Sequence, residues 1–352
     1  MSETGTVNRA HAARAFLDAS GWRGARIAPL AGDASFRRYA RVTRPGATAM
    51  LMDADPATGE DVRPFLRVTA LLRGAGFAAP MILAADEAQG FLLLEDLGDA
   101  LFAHVLAHDD DPHLEETLYA AAVDVLAALH TGQAPGADAR AAAHLPPYDD
   151  ARLEAEAGLL LDWYMPAATG AAVPAEAAEE WRAVWAELLA LVRVGGDVVC
   201  LRDYHAENLI WQPERAGLDR VRLIDYQDAV TGPAAYDLVS LVEDARRDLA
   251  PGLGDVMIAR YLNAAGVADR EAFLTSYAVL GAQRNAKIVG IFARLWRRDG
   301  KPRYLGLLPR VFGHLAHDLA HPALAPLAHW FARWLPRERW ERDVAYLKET
   351  AK

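Results

Sequence analysis

Asp203, Asn208 and Asp225 carry oxygen donors at spacings that suit phosphoryl transfer. They sit in two apolar frames, Val198-Val199-Cys200-Leu201-Arg202-Asp203-Tyr204-His205-Ala206-Glu207-Asn208-Leu209-Ile210-Trp211 and Val221-Arg222-Leu223-Ile224-Asp225. A carboxylate five residues before an Asn, on a loop between two short apolar strands, can orient an attacking hydroxyl while the Asn oxygen reaches a metal. A second carboxylate at the end of a third apolar strand completes a Mg²⁺ shell, since this ion takes hard oxygen ligands and draws the rest from nucleotide phosphates. An Asp with an Asn five residues on is common by chance, and alone it reads as a turn. Here the apolar run resumes at Leu209, Gln212-Pro213-Glu214-Arg215-Ala216-Gly217 breaks a hairpin, and Asp225 ends another strand-like run, a much rarer combination. The competing reading makes Asp203 and Asp225 turn carboxylates that cap nearby amides.

Such loops need a scaffold. Ile27–Leu30, Phe36–Val42 and Ala49–Met52 read as strands opening an antiparallel sheet, separated by Gly32-Asp33 and Pro45-Gly46. Between Gly59 and Gly74, Val62, Phe65, Leu66 and Leu72 fall near helical spacing, and Phe91-Leu92-Leu93-Leu94 reads as a buried strand. From Ala100 the pattern turns helical. Helices are predicted over Glu115–His130, Leu153–Met165, Ala175–Val194, Tyr236–Asp248, Gly254–Ala264, Arg270–Asp299 and Tyr304–Leu347, with an Ala/Gly-rich loop over 134–143. Strands first and helices afterwards predict an α+β bilobal protein, with a small antiparallel-sheet N-lobe at 1–97 and a larger, mainly helical C-lobe at 98–352. A cleft between lobes is where a small-molecule site is expected.

The composition allows this. A length of 352 residues accommodates two lobes, and 53% hydrophobic with 24% charged residues is ordinary for a soluble globular chain. The net charge of −11 argues against general nucleic-acid binding. No apolar run approaches a membrane span, and the start Met1-Ser2-Glu3-Thr4-Gly5 lacks the basic and apolar regions of a signal peptide, so the cytoplasm is the expected compartment. No membrane or protein partner is indicated. Cys200 is the single cysteine, which excludes an internal disulfide and Cys-based zinc sites and leaves it a small core residue.

Small residues gather at a second point. Gly32, Asp33, Ala34, Ser35 and Phe36 lie at a strand-to-strand turn, where backbone amides can approach triphosphate oxygens. This is neither a Walker loop nor the dinucleotide glycine fingerprint, and alone it reads as a hairpin turn. Arg37 and Arg38 point to opposite faces of a strand, so only one can face a nucleotide.

Taken together, Gly32 to Tyr39, Leu94-Glu95-Asp96-Leu97-Gly98, Asp203 to Asn208 and Ile224 to Ala229 resemble the aminoglycoside phosphotransferase-like kinases, relatives of protein kinases, over nearly the whole chain. Gly232 to Leu238, Glu243 to Asp248 and Gln283 to Leu295 make it most similar to the bacterial anomeric N-acetylmuramate/N-acetylglucosamine kinases of peptidoglycan recycling. The resemblance implies ATP and Mg²⁺ as cofactors and phosphorylation of the anomeric (C1) hydroxyl of an amino sugar. It makes Asp203 the catalytic base, Asn208 and Asp225 the metal ligands, Glu95 to Leu97 the hinge whose backbone holds adenine, and Asp237 a structural carboxylate. Two departures stand out. The third strand, Ala49-Met50-Leu51-Met52-Asp53, has no lysine to hold the α- and β-phosphates, so Arg37 or Arg38 must do that work, or amides and metal alone. Leu201-Arg202 replaces the His-Gly that commonly precedes the catalytic Asp.

For the acceptor, Tyr204, His205, Glu207 and Asp228 flank the catalytic segments, with His205 either a sugar contact or a residue that orients the loop. Arg246, Arg247, Arg284 and Lys287 offer positive charge suited to a lactyl carboxylate, although ion pairs are the commoner fate of such residues. Trp330, Phe331, Trp334 and Trp340 read as core. Two other readings stay open: a phosphotransferase for a cationic acceptor such as an aminoglycoside or choline, favoured by the acidic charge, and a catalytically silent nucleotide-binding module, favoured by the missing lysine.

Overall fold

The computed structural model describes residues 3–30, 37–109, 111–132 and 145–351. By packing, these fall into two units. The first takes the described residues up to Val105 together with Glu207–Asp228; the second takes those of Leu106–Gln133 and Asp138–Ala206, with Ala229–Lys352.

In the first unit, helix α1 (Glu3–Ala19) precedes an antiparallel sheet of β1 (Arg26–Pro29), β2 (Arg38–Arg44), β3 (Ala47–Asp53), β4 (Ile82–Asp86) and β5 (Phe91–Glu95), ordered β1-β2-β3-β5-β4. Helix α2 (Arg63–Gly74) lies between β3 and β4 in sequence. The register pairs Val42 with Ala49, Ala40 with Leu51, and Leu51 with Leu93. These residues share one face, and they form a core with Ala13, Phe16 and Leu17 of α1. By the two-residue alternation of a strand, Tyr39, Arg41, Met50 and Met52 occupy the other face. Strand β4 escapes the sequence reading because its apolar run, Ile82 to Ala85, is short and shows no polar/apolar alternation, although in the fold none of its residues is buried.

Four short strands complete the set: β6 (Asp197–Cys200), β7 (Leu209–Trp211), β8 (Val221–Leu223) and β9 (Val230–Pro233), with β7 paired to β8 and β6 to β9, both antiparallel. The sequence division at Leu97/Gly98 assigns the β7–β8 hairpin to the C-lobe, whereas it packs with the first unit. Backbone bonds explain this: Leu223 N–H donates to Ala78 O at 3.0 Å and Trp211 N–H to Ala100 O at 2.8 Å, while Arg222 pairs with Glu95 at 2.9 Å.

After α3 (Phe102–His108) the second unit is helical: α4 (Leu114–Thr131), α5 (Asp150–Ala157), α6 (Met165–Thr169), α7 (Ala175–Leu189), α8 (Ala235–Val242), α9 (Leu253–Ala264), α10 (Arg270–Asp299), α11 (Leu308–Asp318), α12 (Ala325–Trp334) and α13 (Arg337–Thr350). Helix α10 is as predicted, capped by Asp269, which accepts the Ala272 N–H at 3.0 Å, and stopped by Gly300 at φ 65°. Its middle, Gln283 to Gly290, is buried throughout, so it runs through the core. Two predicted helices are broken. Leu153–Met165 becomes α5, a π-helical turn over Leu160–Tyr164, and α6, where Pro166 supplies no N–H. Tyr304–Leu347 divides into a 3₁₀ turn and α11 to α13, with Pro322 and Pro336 at breaks. Cys200 is buried. Among the described residues no helix is long and apolar enough to cross a membrane.

Candidate active site

Strand β6 delivers the chain to Leu201, and there a buried carboxylate takes hold of the backbone. Asp237, on α8, accepts the N–H of Leu201 at 2.6 Å and of Arg202 at 2.8 Å. Burial pushes the Asp237 carboxyl up to about 7, against the pull of those two amides. Arg202 adopts φ 71°, a left-handed backbone that an L side chain avoids unless its surroundings impose it. The imposing contacts are visible. The Arg202 guanidinium pairs with Glu156 of α5, which also takes Lys287 Nζ at 2.7 Å and the Tyr148 hydroxyl. Ser240 Oγ and Arg284 Nη1 each reach the Arg202 carbonyl at 3.4 Å.

Asp203 follows this turn. Burial acts to raise its carboxyl, but the positive charges of Arg284, Lys287, His205 and Arg202 carry it below the ordinary value, so it is an anion at neutral pH. An ionised carboxylate on a backbone fixed by Asp237 and Glu156 can accept a hydroxyl proton.

In the first unit, the β7–β8 hairpin sets Asn208 beside Asp225. Leu209 pairs with Leu223, and the Ile224 N–H donates to Asn208 O at 3.2 Å, so the two residues leave adjoining strand ends. Asp225 takes φ 57°, the second left-handed non-glycine residue among those described. Its side chain remains 47% exposed. The donors are hard oxygens, which fit a magnesium-like ion rather than a soft metal. Among the described residues no three His, Cys, Asp or Glu converge as a metal cage, so an ion on this pair would take its further ligands from phosphate and water.

Gly32, Asp33, Ala34, Ser35 and Phe36 lie outside the described residues. Arg37 is half-buried, with Nε 2.9 Å from Glu60, Nη1 3.7 Å from Asp225 and Nη2 3.9 Å from Asp228. Arg38 is exposed and registers opposite Asp53. In the segment expected to be the hinge, the Glu95 side chain is occupied by Arg222 and by the Met81 N–H at 3.0 Å, and the Glu95 N–H donates to the Met81 carbonyl at 2.9 Å. The Leu97 carbonyl accepts from Gln212 at 3.3 Å. Arg41 ties down the following turn through Asp96 and Asp99, with four bonds of 2.7 to 3.1 Å.

The acceptor contacts fare unevenly. Tyr204 is a correction: its hydroxyl donates to the Ala122 carbonyl at 2.8 Å in the helical interior, so it anchors the loop and presents nothing to a sugar. His205 is buried, its Nε2 3.5 Å from Arg246 Nη1, and burial lowers it to about 4, which leaves it neutral at pH 7. Arg246 also lies 3.9 Å from Asp244, and the buried Arg284 carries charge to Asp203. Arg247 and Lys287 are ion-paired, to Glu115 and Glu156. Glu207 and Asp228 belong to the first unit, Asp228 being 54% exposed with Gln227 Nε2 at 3.4 Å. Sequence reasoning missed Glu156 and Glu60. Neither sits in a recognisable motif, and only the arginine it meets reveals its role.

The fold and these segments define a phosphotransferase. The chain belongs to the phosphotransferase enzyme family, whose pattern matches residues 26–274. It is 39% identical to the N-acetylmuramate/N-acetylglucosamine kinase of Caulobacter vibrioides, over 94% of this chain and 98% of that one. The protein of the same name from Pseudomonas aeruginosa is 36% identical over 88% of each chain. Among solved structures, a putative aminoglycoside phosphotransferase from Ralstonia eutropha superposes with a TM-score of 0.64 at 16% identity, covering 91% of this chain and 98% of the other. Aminoglycoside 2'-phosphotransferase-IIIa in its GDP complex gives 0.60 at 12%, covering 89% and 99%. These two likenesses establish the fold, a small antiparallel sheet unit and a larger helical one.

Proposed function

We propose that the chain is an ATP- and Mg²⁺-dependent kinase for the anomeric hydroxyl of N-acetylmuramate and of N-acetylglucosamine, acting in the cytoplasm in peptidoglycan recycling. The observation that carries the acceptor is the end-to-end likeness to the C. vibrioides kinase, 39% identity over 94% of this chain. The ionised Asp203 and the oxygen pair of Asn208 and Asp225 support the chemistry.

On this reading residues 1–97 hold the nucleotide, through the turn at 32–36, one of Arg37 and Arg38, and the backbone of Glu95 to Leu97, and residues 98–352 supply the catalytic loop and sugar contacts. Asp203 orients the O1 hydroxyl of the sugar. As the O1–P bond forms and the γ-phosphorus parts from the β,γ-bridging oxygen, the hydroxyl proton passes to Asp203 and ADP leaves with the electron pair. Asn208 and Asp225 would hold a divalent ion, which would supply positive charge against the phosphates. Neutral His205 can hydrogen-bond a sugar hydroxyl, and Arg246 and Arg284 supply charge for a lactyl carboxylate.

The test is a panel of free sugars, aminoglycosides and choline with ATP, following ADP release and assigning the product by phosphorus NMR. A sugar 1-phosphate from the two amino sugars is expected. Turnover of a cationic acceptor alone would remove the amino-sugar assignment, and no phosphate transfer to any acceptor would make the chain a silent nucleotide-binding module.

A further inference from the structure

We infer that Arg37 is the cation that holds the nucleotide phosphates in this chain, in place of the lysine its third strand lacks, and that Glu60 is the residue that positions it. The inference rests on the kinase reading above and adds which side chain does this work.

The sheet itself separates the two candidate arginines. Arg38 registers with Asp53, on the face that carries Ala40, Val42 and Leu51 against α1. Asp53 is already paired there with Arg9 at 2.7 Å. Arg37, one residue earlier, falls on the opposite face with Tyr39 and Arg41. On that face β3 offers Thr48, Met50 and Met52, none of them charged. Arg41 is committed to both Asp96 and Asp99.

Arg37 is therefore the cation placed toward the metal residues of its own unit. Glu60, in the segment leading into α2, takes Nε at 2.9 Å, and the Nη edge is turned to Asp225 and Asp228 at 3.7 and 3.9 Å, distances of charge attraction rather than hydrogen bonding. Tyr39 reports the same neighbourhood: loss of water and then the Asp225 charge push its hydroxyl up to about 12. Three carboxylates around one guanidinium leave an excess of negative charge, which suits an added divalent ion. Phosphate oxygens that share an ion with Asp225 come within reach of a group 3.7 Å from that carboxylate. The planar fork of arginine can then donate to two of them at once. An acid that holds a phosphate-binding cation from a neighbouring element is the arrangement protein kinases make with lysine and glutamate. Here the cation comes from the start of β2 and the acid from the segment before α2.

Calorimetric titration of the full chain with ATP, ADP and adenosine, in Mg²⁺, tests this without turnover. Arg37→Ala is expected to weaken ATP and ADP about ten- to hundredfold and leave adenosine unchanged. Arg38→Ala should leave all three unchanged, Arg37→Lys should recover part of the loss, and Glu60→Gln should weaken ATP several-fold with adenosine unaffected. Wild-type ATP affinity in Arg37→Ala, or an equal loss of adenosine in that variant, overturns the inference. If Arg37→Ala does not fold, Arg37→Gln gives the same reading. A wild-type chain that bound none of the three ligands would instead overturn the kinase reading itself.

Discussion

Asp237 accepts the Leu201 N–H at 2.6 Å, and the same carboxylate accepts the Arg202 N–H, so two consecutive amides just before Asp203 rest on one buried side chain. Asp237→Asn keeps the size but offers a single acceptor oxygen, and its amide N–H₂ meets one of the two donors head-on. Leaving one buried N–H unsatisfied costs about 1–3 kcal/mol. Denaturant unfolding should show that loss, and kcat should fall more than nucleotide affinity because the turn that carries Asp203 is released.

Among the charges that keep Asp203 anionic, Arg284 is the largest. Arg284→Met should therefore raise the Asp203 pKa. The acid limb of a kcat/KM profile against pH is expected to move toward neutrality in the variant, with nucleotide affinity measured at pH 8 unchanged. An unmoved acid limb would separate Arg284 from Asp203.

Burial holds His205 at about 4 and His130 at about 3, both below the ordinary 6.5. The unfolded chain thus binds more protons than the folded one between pH 6.5 and those values, and stability falls as the solution is acidified through that window. For His205 the loss is of order 3 kcal/mol at most. Urea midpoints taken from pH 7 to pH 4.5 should decline in the wild type and decline less in His205→Gln.

Gly290 sits on α10 where it meets the π-helical turn. An added methyl group would stand 2.2 Å from the Leu159 carbonyl carbon, which is backbone and cannot rotate away. Gly290→Ala is expected to destabilise the chain by about 1–3 kcal/mol or more. A fall in Tm of several degrees would check it, and Gly313→Ala, with open space around it, is the control.

The core of the fold was legible where burial and period coincide. Phe91 to Leu94 announced β5 because all four are buried, and α10 announced itself by thirty residues without a proline between Asp269 and Gly300. Strand β4 did not, since its apolar run of Ile82 to Ala85 is too short and too uniform to show a period, and which residues are exposed or half-buried is decided by the sheet. Asp203, Asn208 and Asp225 stood out in the sequence because apolar runs frame them, and those runs are the strands β6, β7 and β8. Glu60 and Glu156 did not, because an acid's partner is fixed by tertiary packing: Arg37 lies 23 residues from Glu60 and Arg202 lies 46 from Glu156. Tyr204 misled for the opposite reason, since adjacency to Asp203 in sequence says nothing of which way the ring turns.

The backbone passes from the helical unit to the sheet unit between Ala206 and Glu207, and returns between Asp228 and Ala229. Neither unit is consequently a continuous stretch of polypeptide. A gene truncated after Val105 would encode the five-stranded sheet stripped of the hairpin flanked by Asn208 and Asp225, so exchange of the sheet among such enzymes by single-crossover recombination would deliver it without those two residues.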